Sequence, residues 1–193
     1  MSRMKRELPS VSALEEELRQ EQYKKNYMQV LRSTIYCLIT VAAVAVLVAT
    51  LFLPVLRIYG ASMTPSLVEG DIVVSVKGAD FKQGDIISFY YNNRILVKRA
   101  IAFPGDFVNI DDEGNVFVND KLLDEPYLAE KMKGDCDIEF PYQVPDGKIF
   151  VLGDHRATSV DSRNSAIGNV SEEQIVGKII FRIWPFHGIG AVK

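Results

Sequence analysis

The stretch Ile86-Ile-Ser-Phe-Tyr-Tyr-Asn-Asn-Arg-Ile-Leu-Val-Lys-Arg-Ala-Ile101 sets the architecture. Two runs of β-branched and aromatic residues, 86–91 and 95–101, flank Asn92-Asn93. Asparagine tolerates the positive φ that a tight hairpin needs. The same texture continues outward: IVVSV at 72–76, VFV at 116–118, IFVL at 149–152 and IVGKIIFRIW at 175–184. Turn signals at Asp112-Glu-Gly114, Asn119-Asp120 and Pro145-Asp-Gly147 separate these runs. No helical period of comparable length competes, so residues 57–193 are expected to be mostly antiparallel β.

Upstream the chain changes character. Ser33 to Leu56 carries no charged residue, and Arg32 and Arg57 bracket it. As a helix it spans about 36 Å, against about 30 Å for a bilayer's hydrocarbon core. A cleaved secretory signal has a shorter apolar core near the chain start. Here a long, charge-rich stretch, positions 1–32, comes first, which points to a permanent anchor. Arg19, Lys24, Lys25 and Arg32 precede the span closely, whereas Arg57 alone follows it closely. The positive-inside bias then puts the N-terminus in the cytoplasm. The expected organisation is a cytoplasmic polar leader (1–32), a transmembrane anchor (33–56) and an extracytoplasmic β-rich domain (57–193). Within the leader, Ser12-Ala-Leu-Glu15 has capping-box spacing ahead of the run EEELRQEQYKK, predicting a solvated helix that feeds the span.

Of the 193 residues, 48% are apolar and 24% charged, which excludes both a disordered chain and a polytopic membrane protein. The net charge of −3 combines an excess of two positive charges in 1–32 with five negative in 57–193. Neither part has the basic patch that nucleic acid requires. Cys37 sits in the span and Cys136 beyond it, so a disulfide between them is not expected. With His155 and His187 the only histidines, no metal site or other cofactor is expected.

Three segments hold chemistry-bearing residues: Gly60-Ala-Ser62-Met-Thr-Pro65-Ser-Leu67, Val97-Lys98-Arg99 with Pro104-Gly105-Asp106, and Gly153-Asp-His-Arg-Ala-Thr-Ser159-Val-Asp161-Ser-Arg163. The strand around Lys98 is apolar on both sides, so either Lys98 or Arg99 must face inward. A buried lysine without a carboxylate partner loses proton affinity and becomes a base near neutral pH. A serine nucleophile needs such a base, and no well-placed His–Asp pair is on offer.

These segments resemble, in order and spacing, the signature boxes of the type I signal peptidases. Ser-Met-x-Pro-Thr-Leu appears as Ser62 to Leu67, Lys-Arg-x-x-Gly-x-Pro-Gly-Asp as Lys98 to Asp106, and Gly-Asp-Asn-Arg-x-x-Ser-x-Asp-Ser-Arg as Gly153 to Arg163. Gly168-Asn-Val170 and Ile175-Val-Gly177 extend the match to roughly 55–193. The resemblance implies an antiparallel-sheet serine–lysine peptidase domain on one N-terminal transmembrane helix. It implies an endopeptidase that removes leader peptides from translocated preproteins by cutting after small residues. Ser62 would be the nucleophile and Lys98 the general base, passing through an acyl-enzyme. Ser159 would hydrogen-bond the lysine, Asp161 and Arg163 would pair to hold its loop, and Asp154 with Arg156 would add scaffold. Ile58, Met63 and Val97 match substrate-pocket positions, with ordinary core packing the alternative for each. An extended leader would add along the strand edge near 95–98. The implied partners are preprotein signal peptides and membrane lipid, with no nucleic acid and an open oligomeric state.

Ser66, Ala102 and His155 depart from the family's threonine, glycine and asparagine. Ala102 is a candidate for backbone strain and His155 for a disturbed Ser159 loop. Gly60 lacks the hydroxyl some members use at the oxyanion, leaving backbone N–H groups, that of Ser62 first. Serine–lysine autoproteases of stress-response repressors share the dyad but are soluble and carry DNA-binding helices. Signal-peptidase-like assembly chaperones lose dyad residues, and both are present here. A specialised processing protease of surface proteins remains the alternative function.

Overall fold

A computed structural model describes residues 10–192. The chain divides between Thr50 and Leu51 into two units, each compact by itself. The first consists largely of one helix, α1 (Val11–Phe52). Its 18-residue apolar window has a mean hydropathy of 2.6, and none of the helix is buried. The hydroxyls of Thr34, Thr40 and Thr50 donate back to the carbonyls of Val30, Tyr36 and Leu47 at 2.8–3.0 Å, which hides these polar groups within the helix itself. The helix is thus long and apolar enough to cross a membrane.

Both ends of α1 differ from the sequence expectation. The N-terminal cap is Ser10, whose carbonyl and side-chain oxygens take the N–H of Ala13 at 3.0 and 3.4 Å. Ser12 lies inside the helix instead of capping it. The helix stops at Phe52, short of Leu56, because Pro54 brings no N–H and disfavours helical geometry at Leu53. The chain then enters a strand at once.

The second unit contains β1 (Val55–Arg57), β2 (Ile72–Val76), β3 (Ile86–Tyr91), β4 (Arg94–Ala102), β5 (Phe107–Ile110), β6 (Val116–Val118), β7 (Lys121–Leu122), β8 (Tyr142–Gln143), β9 (Lys148–Leu152), β10 (Val170–Ser171), β11 (Ile175–Trp184) and β12 (Gly190–Ala191). An eight-stranded sheet runs β1-β2-β11-β3-β4-β9-β10, with β12 also on β11, and a four-stranded sheet runs β7-β6-β5-β8. The pairings are antiparallel throughout. This is the mostly β class the sequence pattern indicates. Asn92 takes the positive φ (43°) at the β3–β4 turn, and Asn119 and Asp120 (52° and 61°) make the β6–β7 turn.

Strand β4 organises the packing. Leu96 and Ala100 serve one apolar cluster with Ile87, Phe89 and Val151, while Val97 packs against another built on Ile58, Met63 and Leu67. Its last residues, Ile101 and Ala102, enter a third with Val108, Val116 and Phe150. Consecutive strand side chains point to opposite faces, so apolar material covers β4 on both. Hence Lys98 (4% exposed) and Arg99 (1%) are both buried, where the sequence suggested that one would be. Ala102 keeps a negative φ inside its core cluster and carries no strain.

Candidate active site

The segment carrying Ser62 is pinned at both ends. Ile58 exchanges backbone hydrogen bonds with Asp71 (2.8 Å) and Gly70 (2.9 Å). The Asp71 carboxylate takes the N–H of Val68 at 3.0 Å and Arg182 Nη1 at 2.7 Å. Between these anchors Ala61 O receives Thr64 N, and Met63 O receives Leu67 N. Met63 and Leu67 are buried in the cluster with Ile58 and Val73. The turn therefore sinks its apolar residues and leaves Ser62 half-exposed. The Ser62 carbonyl accepts the N–H of His155 at 3.0 Å, while its own N–H donates to no described residue. Gly60 has φ +79° with open space where a Cβ would stand. A serine there would fit sterically but strain the backbone.

Lys98 Nζ forms no hydrogen bond or ion pair with any described residue. Desolvation lowers its pKa from 10.5 to about 8 and outweighs the upward pull of Asp161, while Arg163 pushes down and Asp154 pulls up by smaller amounts. Register positions Lys98 opposite Ile87 of β3. On the other side of β4, β9 pairs only with Arg99, Ala100 and Ala102, because β9 ends at Leu152 where Gly153 turns the chain away. Residues Arg94–Lys98 thus keep an edge with no strand partner among the described residues.

The loop 153–163 is held by buried ion pairs. Arg99 grips Asp154 through Nε (2.9 Å) and Nη2 (2.6 Å), and Nη2 also reaches Ser66 Oγ at 3.1 Å. The serine that stands for threonine at 66 keeps that acceptor. Arg163 grips Asp161 through Nε and Nη2, both 2.8 Å, and donates to the carbonyls of Arg156 and Ser159. Asp161 Oδ2 also takes the Gly153 N–H at 2.9 Å. Arg156 pairs with buried Glu125. His155 adds a bond between Nδ1 and Thr158 Oγ1 (2.8 Å), and its carbonyl takes Ser159 N at 3.1 Å. The histidine at 155 therefore braces the Ser159 loop and does not disturb it. A Cβ on Gly153 would overlap the Ser159 side chain and come within 2.6 Å of Ser62 O, so only glycine fits between them.

These contacts bring the three segments together: Ser66 touches Arg99, Ser62 meets His155, and Gly153 is lodged between Ser62 and Ser159. Asp161 and Arg163 pair as the resemblance implies. Asp154 is more than peripheral scaffold, because it holds the neighbour of Lys98. Ser159 differs from expectation. Its Oγ is buried, with no hydrogen-bond partner among the described residues, instead of bonding Lys98. Ile58 (5% exposed) and Met63 (2%) lie within the core, and Val97 packs half-buried against the same cluster.

Sequence reasoning missed Glu125 and Tyr127. Glu125 pairs with Arg156, 31 positions on, and Tyr127 lies against Arg99, separations that no local pattern encodes. Among the described residues no group of His, Cys, Asp or Glu side chains could hold a metal ion.

A family model described as signal peptidase, peptidase S26, matches residues 31–184. Signal peptidase IB of Staphylococcus aureus (strain COL) is 41% identical over 150 residues, covering 67% of this chain and 76% of that protein. Signal peptidase I U of Bacillus subtilis (strain 168) is 34% identical over 165 residues, covering 77% and 85%. A crystal structure of a signal peptidase I from Enterococcus faecalis V583 shares 30% identity and covers 52% of this chain and 97% of that one, with a TM-score of 0.45.

Proposed function

Because the chain belongs to the S26 signal peptidase family of serine endopeptidases, we propose that it removes signal peptides from preproteins by a Ser62/Lys98 dyad. One observation carries the reading. A half-exposed serine with an unengaged N–H is bonded to the loop 153–163, and the charges of that same loop act on a buried lysine in β4 whose pKa falls to about 8.

Neutral Lys98 Nζ takes the proton of Ser62 Oγ as that oxygen attacks the scissile carbonyl carbon. The Ser62 N–H donates to the resulting oxyanion. Collapse breaks the C–N bond, and the Lys98 ammonium returns its proton to the departing amine, which becomes the new N-terminus of the mature protein. A water then gives its proton to Lys98 and attacks the acyl carbonyl. This frees the leader as a carboxylate and regenerates Ser62. The free hydroxyl of Ser159 is available to steady the lysine once substrate excludes water, in keeping with catalytic hydrogen bonds that tighten only on binding. Asp161 and Arg163 hold its loop, and Asp154 holds Arg99.

The open edge of β4 at 94–98 supports main-chain pairing with an extended leader, a mode that tolerates varied sequence. In this reading half-buried Val97, packed against Ile58 and Met63, meets the small side chain before the cut. Shallow pockets reject bulk, though a single methylene is worth only about 1–3 kcal/mol. In this reading residues 1–32 are cytoplasmic, α1 spans the lipid from about Ser33, and the β unit faces outward. No cofactor enters any step. Purified full-length protein in detergent, mixed with a preprotein, should cut once after a small residue, as mapped by mass spectrometry of both products. Cleavage that persists in Ser62→Ala would refute the assignment.

A further inference from the structure

We propose that Glu125 and Tyr127, in the connection between β7 and β8, are positioning residues for this reaction. The inference deepens the dyad reading and rests on it. Two arms leave this short segment and converge on two adjacent residues, Gly153 and Asp154. Glu125 (6% exposed) receives both Nη atoms of Arg156, whose Nε donates to Gly153 O at 3.1 Å. The ring of Tyr127 lies 3.7 Å from the Arg99 guanidinium carbon, and Arg99 holds the Asp154 carboxylate. The arms are tied together, because the Tyr127 hydroxyl donates to Glu125 Oε1 at 2.8 Å. Burial and the Glu125 carboxylate push the tyrosine pKa up, so the hydroxyl keeps its proton for that bond.

Gly153, the first of these two residues, is the one wedged between the Ser62 carbonyl and the Ser159 side chain. Arg99, clamped by the same tyrosine, directly precedes the bulged end of β4 and directly follows Lys98. One segment outside all three signature stretches thereby braces the backbone beside Ser62, Lys98 and Ser159. Displacement of reacting groups by a fraction of an ångström to 1 Å is enough to cost orders of magnitude in rate. A carboxylate that neutralises a buried arginine also cannot be lost without freeing that arginine from its geometry.

Glu125→Gln keeps size and removes charge. Turnover of a signal-peptide substrate by the full-length protein in detergent should fall at least about tenfold in kcat, with KM within about twofold. The pH at which kcat/KM levels off should stay in place, since neither Glu125 nor Arg156 contributes to the Lys98 shift. Combining Glu125→Gln with Arg156→Gln should cost no more than the worse single change, because the two act along one arm. Rates are compared at temperatures where circular dichroism shows each variant fully folded, which separates positioning from simple loss of fold. If Glu125→Gln does not fold, Tyr127→Phe decides, since it keeps the ring on Arg99 and removes only the tie to Glu125. Its kcat should fall about threefold at unchanged KM. Wild-type kcat in whichever variant decides, or additive losses in the double variant, would overturn the proposal. Ser62→Ala and Lys98→Ala are assayed alongside. Turnover in either refutes the dyad, whereas two dead controls beside a fully active Glu125→Gln refute only the positioning role.

Discussion

Acidifying the full-length protein from about pH 11 to pH 7 should cost its β unit about 3 kcal/mol that a Lys98→Met variant does not lose. The lysine pKa is 10.5 in the unfolded chain and about 8 when folded. A gap of about 2.5 units at ~1.36 kcal/mol per unit gives ~3.4 kcal/mol in all. The unfolded chain takes up its proton first as pH falls, so the penalty on folding appears between 10.5 and 8 and is complete below 8. Stability from this group therefore rises with pH across that window. Urea unfolding followed by Trp184, the single tryptophan, reads it out, because that residue closes β11. Taking the difference between wild type and Lys98→Met at each pH removes the other titrating groups. The same shift governs catalysis. Log kcat/KM should climb with unit slope in acid and level off near pH 8, leaving about a tenth of the plateau at pH 7. A stability difference that does not change with pH, or a rate still climbing with unit slope at pH 10, would refute the desolvated-base account.

Further outcomes follow from the same geometry. Ser62→Ala, Lys98→Ala and the double variant should all lose essentially all cleavage to a similar degree, measured by product formation from a preprotein, because the two residues act as one unit. Gly153→Ala should lower kcat by about a hundredfold while leaving a folded β unit in thermal melts, since the new methyl overlaps Ser159 and the Ser62 carbonyl. Protease added to spheroplasts should digest residues beyond about 57 and spare the leader 1–32, as a gel with antibodies to each end would show. Protection of the β unit would reverse the orientation.

Much of this was legible in the sequence because the long strands carry their own signal. The runs at 72–76, 86–91, 116–118 and 175–184 coincide with β2, β3, β6 and β11, and the 95–101 run grows by one residue at each end in β4. The strands β1, β5, β7, β8, β10 and β12 escaped notice. The last four are two residues long, too short to show an alternation, and β8 and β10 take their partners from strands far away in the chain. The cap misplacement at Ser12 has a similar cause, because Ser10 offers an equivalent hydroxyl and local spacing cannot choose between them. That Lys98 and Arg99 are both buried depends on three core clusters meeting at β4, a property of the assembled sheet. Glu125 was invisible for the same reason: its carboxylate matters only once Arg156 has been folded onto it.

The unpartnered run Arg94–Lys98 also has a consequence for how the protein behaves when concentrated. An open ribbon edge will pair with any extended chain that reaches it, including a loose segment of a second copy. Two features limit this hazard. The edge is short, and the charged and exposed Arg94 stands at its entry. The detached β unit should therefore aggregate more readily than the lipid-bound chain, and a short extended peptide that occupies the edge should act as a solubiliser.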